Sequence, residues 1–221
     1  MRKHTIRLAT AILTFCLGSA ITYLPAWYTK ATHVHLPYSV LEGNTVRVYP
    51  YGAAFEIPES WLTRDPQSAK NLHLNRRDLS DLFWNDGGDA EDAQVINAVL
   101  PFENCAAHFG DRDWGNYLWN DFQGRVYFVD LTPAQLAEAI ETRGLAEASS
   151  VFEGATLSWG SFGAWRNLSM EIMDAPTHFI LFKRLDFYYR RSGDKTVVFV
   201  FLHAGRFDPT IEQILNSFRA G

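Results

Sequence analysis

Apolar runs separated by turn residues are clearest in the C-terminal quarter of the chain. Val197-Val198-Phe199-Val200-Phe201-Leu202 is an unbroken apolar run. A strand that is apolar on both faces needs cover on both. Phe179-Ile180-Leu181-Phe182 makes the same demand on a preceding strand. The pattern predicts strands over 177–189 and 196–203 joined at Ser192-Gly193-Asp194-Lys195, where Gly193 takes the positive φ of a two-residue hairpin without steric cost. Lys183, Arg184, Asp186, Arg190 and Arg191 read as the polar end of this hairpin, where it leaves the core. Asp208 and Pro209 then suit a helix start, and Ile211, Ile214, Leu215 and Phe218 recur at helical spacing. Their stripe is expected to cover one sheet face.

Upstream, Thr45–Tyr49 and Ala53–Ile57 predict short strands around Pro50-Tyr51-Gly52. Thr63–Asp92 is polar, with a short helix over Arg77–Trp84 and a turn at Asn85-Asp86-Gly87-Gly88-Asp89. Val95, Ile96, Val99 and Leu100 give a helix over 93–100. Phe102, Cys105, Ala106 and Phe109 fall at i, i+3, i+4 and i+7, which predicts a second helix from Pro101 to Gly110. Val126, Tyr127, Phe128 and Val129 suit a strand over 125–131. Thr132-Pro133-Ala134-Gln135 is a capping box with Pro at N1, Leu136, Ala137 and Ile140 form a buried face, and Gly144 is read as the helix stop. Strands follow at 155–159 and 165–173, about Gly160-Ser161-Phe162-Gly163. Leu168, Met170 and Ile172 alternate with Asn167, Ser169 and Glu171, so the second of these strands is expected to have one wet face.

The first thirty residues follow a different pattern. Arg2, Lys3 and Arg7 precede a largely apolar, uncharged segment from Leu8 to Tyr28. That is the layout of a secretory signal or a membrane-spanning anchor with the N-terminus inside and the remainder exported. Gly18 and Ala20 suit cleavage after Ala20, whereas the apolar character continuing to Trp27 suits retention. Residues 31–44, with His33 and His35, read as a polar tether, and 45–221 as one globular domain. Residues 31–221 hold 16 basic and 25 acidic groups, a net charge of −9. An acidic domain lacks the basic face that nucleic acid requires. Cys105 is the only cysteine beyond the leader, so no disulfide can form within the exported part.

Candidate chemistry lies in the middle of the chain. Trp114, Tyr117, Trp119 and Phe122 alternate with Asp111, Asp113, Asn116, Asn120 and Asp121. Aromatic faces beside acids and amides can bind sugars or cations. Asp111, Asp113, Trp114, Tyr117 and Trp119 are therefore the candidate ligand-binding residues. The spacing departs from a calcium loop, because Gly115 falls one place early and no Glu stands at the twelfth position. Cys105 and His108 are three apart and could meet on a helix as nucleophile and base, although Cys105 falls in the apolar stripe, where a free thiol packs as a small hydrophobe. Ser161 lacks the spacing of a nucleophile elbow. No catalytic set, cofactor or metal site is assigned.

Two end motifs carry a family resemblance. Phe55-Glu56-Ile57 runs into Pro58-Glu59-Ser60-Trp61, and the last helix closes on Asn216-Ser217-Phe218. With the late long hairpin, these resemble the PsbP-like superfamily, which includes extrinsic photosystem II subunits and Ran-binding import factors. The resemblance covers about a third of the chain, at its ends. It implies an α/β/α sandwich and a non-enzymatic binding or accessory role, with no shared catalytic residues to carry over.

Together these readings predict an α+β fold, a mostly antiparallel sheet of five to seven strands with helices on both faces, behind an N-terminal membrane segment. The expected role is an exported, membrane-tethered accessory or binding domain. Its expected partners are the membrane, through residues 8–28, and an envelope protein. The rival expectation is an extracytoplasmic hydrolase using groups in 105–122.

Overall fold

Two antiparallel sheets organise the described part of the chain, which in this computed structural model comprises residues 37–64, 94–101, 104–110, 122–174, 181–203 and 208–221. The small sheet is formed by β1 (Tyr38–Glu42), β2 (Thr45–Tyr49) and β3 (Ala53–Glu56), in that order. The large sheet contains β4 (Leu62–Arg64), β5 (Cys105–Gly110), β6 (Gln123–Val129), β7 (Gly154–Phe162), β8 (Trp165–Asp174), β9 (Leu181–Ser192) and β10 (Lys195–His203). Its strand order is β4-β5-β6-β10-β9-β8-β7. Helix α1 (Pro133–Ala139) runs through a π-turn (Ile140–Gly144) into α2 (Leu145–Val151), and α3 (Asp208–Ser217) follows the last strand. Residues 94–99 are also helical. The fold is α+β, and Pro37–Gly221 form one compact unit.

The β9–β10 hairpin sits at the sheet centre, as its apolar run requires. Ser192 pairs with Lys195 across a two-residue turn, and Gly193 has φ +59°. Every residue from Thr196 to His203 is buried. One face, built on Val198, Val200 and Leu202, packs against Leu136, Ile140 and Ala148 of the helices and against Val95, Ile96, Val99 and Leu100. The other, built on Val197, Phe199 and Phe201, packs against Val46, Val48 and Phe55 of the small sheet and Ile211, Ile214, Leu215 and Phe218 around α3. One face is thus closed by helices, the other by a helix and three further strands.

The two end motifs meet in this second layer. Ala54 and Arg219 exchange backbone hydrogen bonds at 3.0 and 2.8 Å, and the Glu56 N–H donates to Ser217 Oγ at 2.8 Å. Phe218 lies edge-on to Phe199 at 5.6 Å. The Trp61 N–H donates to the Pro58 carbonyl at 2.9 Å, which turns the indole onto Phe122, 4.5 Å between centroids. Pro-x-x-Trp and Ser-Phe therefore close one aromatic cluster from opposite ends of the sequence.

Several expectations need correction. The tether over 31–44 contains a strand, because Tyr38–Glu42 pairs along its whole length with Thr45–Tyr49. The helix expected from Pro101 to Gly110 is instead β5, an interior strand paired with both β4 and β6. A short run such as Cys105-Ala106-Ala107 satisfies either period, and pairing on both sides decides it. A register shift between Cys105 and Ala107 sends Cys105 to the helical face and Ala107 to the aromatic face. Gly144 does not end its helix. It stays in right-handed helical geometry, and a β-carbon there would lie 2.9 Å from Val99 Cγ2, so its role is close packing. The turn expected at 160–163 is tighter, with Gly163 at φ +55° and Phe162 paired with Trp165. The wet face of β8 is dry at Asn167 and Ser169, and the hairpin has not left the core at Asp186. Among the described residues no helix is long and apolar enough to cross a membrane; the segment expected to do so, 8–28, lies outside them.

Candidate functional site

Among the described residues, the densest cluster of acid–base groups lies on the aromatic face, near the end of β9 and β10 remote from their turn. Three adjacent strands contribute: Asn167 and Ser169 from β8, Arg184 and Asp186 from β9, and His203 from β10. Ser169 stands directly opposite Asp186, and Arg184 opposite His203. Asp186 is fully buried, His203 is 1% exposed and Ser169 3%.

Asp186 is the hub. Its Oδ2 accepts from His203 Nε2 at 2.9 Å, and its Oδ1 accepts from Arg184 Nε at 3.0 Å and from the Ser169 hydroxyl in a short bond. Arg184 Nη2 also donates to Ser169 Oγ at 3.2 Å, and Asn167 Oδ1 lies 2.9 Å from the same oxygen. Burial is the largest influence on the Asp186 carboxyl and pushes its pKa up. The His203 and Ser169 hydrogen bonds, with the charges of His203 and Arg184, outweigh it and hold the group below the ordinary carboxylate value. Since a carboxylate only accepts, Nε2 of His203 carries the proton it shares. The Phe122 ring stacks over His203 at 5.8 Å and 23°.

This wiring differs from a nucleophile–base–orienter relay. In such a relay the base touches the nucleophile and the acid orients the base. Here Asp186 stands between the other two, and the Ser169 hydroxyl donates a hydrogen bond to the carboxylate. The hydroxyl is thereby held as a ligand of the acid. Such an arrangement fixes three strands to one another. Sequence reasoning missed this site because Asp186 and Ser169 were assigned to solvent.

The Cys105–His108 pair occupies the opposite face. Cys105 lies opposite Tyr127 and His108 opposite Arg125, and all four are buried. Cys105 Sγ donates to the Ala107 carbonyl at 3.3 Å. Burial is the main reason that the Tyr127 phenol is pushed far up, with neighbouring Cys105 adding and Arg125 opposing. The thiol is thus enclosed in the layer between sheet and helices. Asp111, Asp113, Trp114, Tyr117 and Trp119 all lie outside the described residues, as does the proposed turn at 85–89. Phe122, which follows that stretch, is buried against Trp61, Phe201 and His203.

A cleft of about 240 Å³ opens at the turn end of the sheet, where Tyr51 and Phe128 stack at 3.9 Å beside Asp194, Lys195 and Gly221. Lys195 is paired with Asp130 at 2.5 Å, a hydrogen bond that raises its pKa. The buried cluster is six register positions away along β9 and β10, so the cleft does not open onto it. Among the described residues no three His, Cys, Asp or Glu side chains converge as a metal site.

No model of a known protein family matches the sequence, and no curated protein matches it. Among solved structures the chain is similar to the solution structure of cyanobacterial PsbP (CyanoP) from Synechocystis sp. PCC 6803, at 12% identity and a TM-score of 0.39, over 84% of this chain and 91% of that one.

Proposed function

We propose that the chain is an accessory or binding domain without catalytic activity, tethered to a membrane through residues 8–28 and facing the extracytoplasmic side. The observation that carries the non-catalytic part is the enclosure of five reactive groups among the described residues. Asp186, His203, Ser169, Cys105 and His108 are all buried within packed layers, whereas a catalytic group must reach a substrate. The tethering and export rest on the basic residues before an uncharged apolar leader. In this reading the layers form an α/β/α sandwich in which the small sheet shares one outer layer with α3. The acid–base network is structural, and partners, an envelope protein among them, are met at the surface.

The test is to isolate the full chain from membranes in mild detergent and identify the proteins that accompany it. Protease added to intact cells or vesicles from the outer side should cut within 37–221 and spare the N-terminus. Cleavage only from the cytoplasmic side would overturn the orientation. Hydrolytic turnover by the purified chain that Cys105→Ala or His108→Ala abolishes would overturn the non-catalytic reading.

A further inference from the structure

The β7 edge of the large sheet is built for pairing. Among the described residues β7 pairs with β8 alone, and its register with it is unbroken from Gly154↔Met173 to Phe162↔Trp165. Edge strands ordinarily protect themselves with charge, proline, a bulge or shortness. Gly154-Ala155-Thr156-Leu157-Ser158-Trp159-Gly160-Ser161-Phe162 has no charge and no proline, is nine residues long and keeps its register. Thr156 and Ser158 to Ser161 are exposed, and Trp159 is 59% exposed.

The tight turn fixes which groups point outward. Phe162 and Trp165 flank a two-residue turn and form a hydrogen-bonded pair, so bonding to β8 recurs at every second residue. Ala155, Leu157, Trp159 and Ser161 therefore direct their N–H and C=O groups away from the sheet. This row is symmetric about Ser158.

We infer that β7 is a self-association edge, pairing antiparallel with β7 of a second copy across a twofold axis at Ser158. In that register Leu157 meets Trp159 of the second copy, Ala155 meets Ser161, and Thr156 meets Gly160. All four outward-bonding residues on each side find partners. Each Trp159 lies opposite the half-buried Leu157, and Gly160 leaves room for the β-branched Thr156. No charge lies on either strand, so self-pairing opposes no like charges. The closed twofold limits the contact to two chains and removes the open edge, joining two seven-stranded sheets into one.

The register makes a direct test. Ser158 would face its own copy in a non-hydrogen-bonded pair, with α-carbons about 4.5 Å apart, within disulfide reach. Thr156 would stand about 13 Å from its own copy. In the full chain in nonionic detergent, with Cys16→Ser and Cys105→Ala, Ser158→Cys should oxidise to a disulfide dimer and Thr156→Cys should not. Independently, sedimentation of the chain with both cysteines intact should show a dimer, and Trp159→Lys should weaken it by about tenfold or more, because each twofold contact carries the change twice. A monomer at all concentrations, a dimer indifferent to Trp159→Lys, or equal crosslinking through 156 and 158 would overturn the inference.

Discussion

The two faces of the large sheet are made by alternate residues of the same strands, yet they solve different packing problems. Along β8, β9 and β10 the helical face presents Leu168, Met170, Ile172, Leu185, Phe187, Tyr189, Val198, Val200 and Leu202. These mostly aliphatic side chains interlock with the Leu, Ile and Val of the covering helices, and the buried Arg125 of β6 lies on the same side of the sheet. The other face presents Trp165, Phe199 and Phe201 beneath Phe55 and Phe218, with Asn167, Ser169, Asp186 and His203 beside them. Its cover is mixed, part helix and part sheet, and large rings fill the less regular space. The comparison teaches that burial alone does not fix composition. A fully buried carboxylate stays ionised because three strands deliver its hydrogen-bond donors, Arg184 from a partly exposed position.

The largest effect that probes this contrast is expected at Phe199. Its ring lies 5.1 Å from Phe55, 5.4 Å from Trp165 and 5.6 Å from Phe218, edge to face with each. Phe199→Ala should cost about 3–5 kcal/mol of unfolding free energy. Val200→Ala, next along the same strand but on the helical face, should cost about 2 kcal/mol. Denaturant midpoints at unchanged slope measure both. Equal costs would remove the distinction between the faces.

Asp186→Asn should follow, at about 2–3 kcal/mol near neutral pH, since it weakens hydrogen bonds to an ionised group and removes a carboxylate that pairs with Arg184. The pH dependence gives the sign. The folded-state pKa of Asp186 is lowered, so its contribution is complete above the unfolded value, near the ordinary 3.8, and is lost as pH falls through the folded value. The stability gap between wild type and Asp186→Asn should therefore be constant from pH 7 to about 5 and narrow on further acidification below about pH 4. A gap that widens toward low pH would mean the carboxyl is neutral in the native protein.

Gly144→Ala is expected to have the smallest effect on stability. Alanine improves helix propensity by about 1 kcal/mol, but the new methyl would lie 2.9 Å from Val99 Cγ2. Overpacking of about 1–3 kcal/mol should win narrowly, leaving a net loss of about 1 kcal/mol. A gain in stability would show that the helical face yields more readily than its close packing implies.

The central hairpin, the capping box at Thr132, the closing helix and the resemblance of the ends were legible because each is decided locally, by an apolar run, a turn glycine or a cap. The β5 strand was not, since Cys105 to Gly110 fits helix and strand alike and only its two neighbours decide. The Asp186 network was concealed by a reading taken one strand at a time. Arg184 and Asp186 look solvated beside Leu185 and Phe187. The adjacent run 197–202 demands cover on both faces, however, and that cover extends over Asp186 on the neighbouring strand. Cross-strand inference of this kind would have exposed the buried acid. The aromatic and acidic stretch 111–121 lies outside the described residues, and only its flanks, Gly110 and Phe122, are placed.

Among the described residues the reactive side chains are enclosed and structural, and Cys105 is where this can be measured. The thiol is fully buried and belongs to the apolar layer of the helical face. The thiolate is the reactive species, and burial disfavours it. Labelling Cys105 in the native full chain carrying Cys16→Ser, at neutral pH, should be slow, become fast in denaturant, and be unaffected by His108→Gln. Rapid native labelling that His108→Gln abolishes would establish an activated nucleophile and contradict the account.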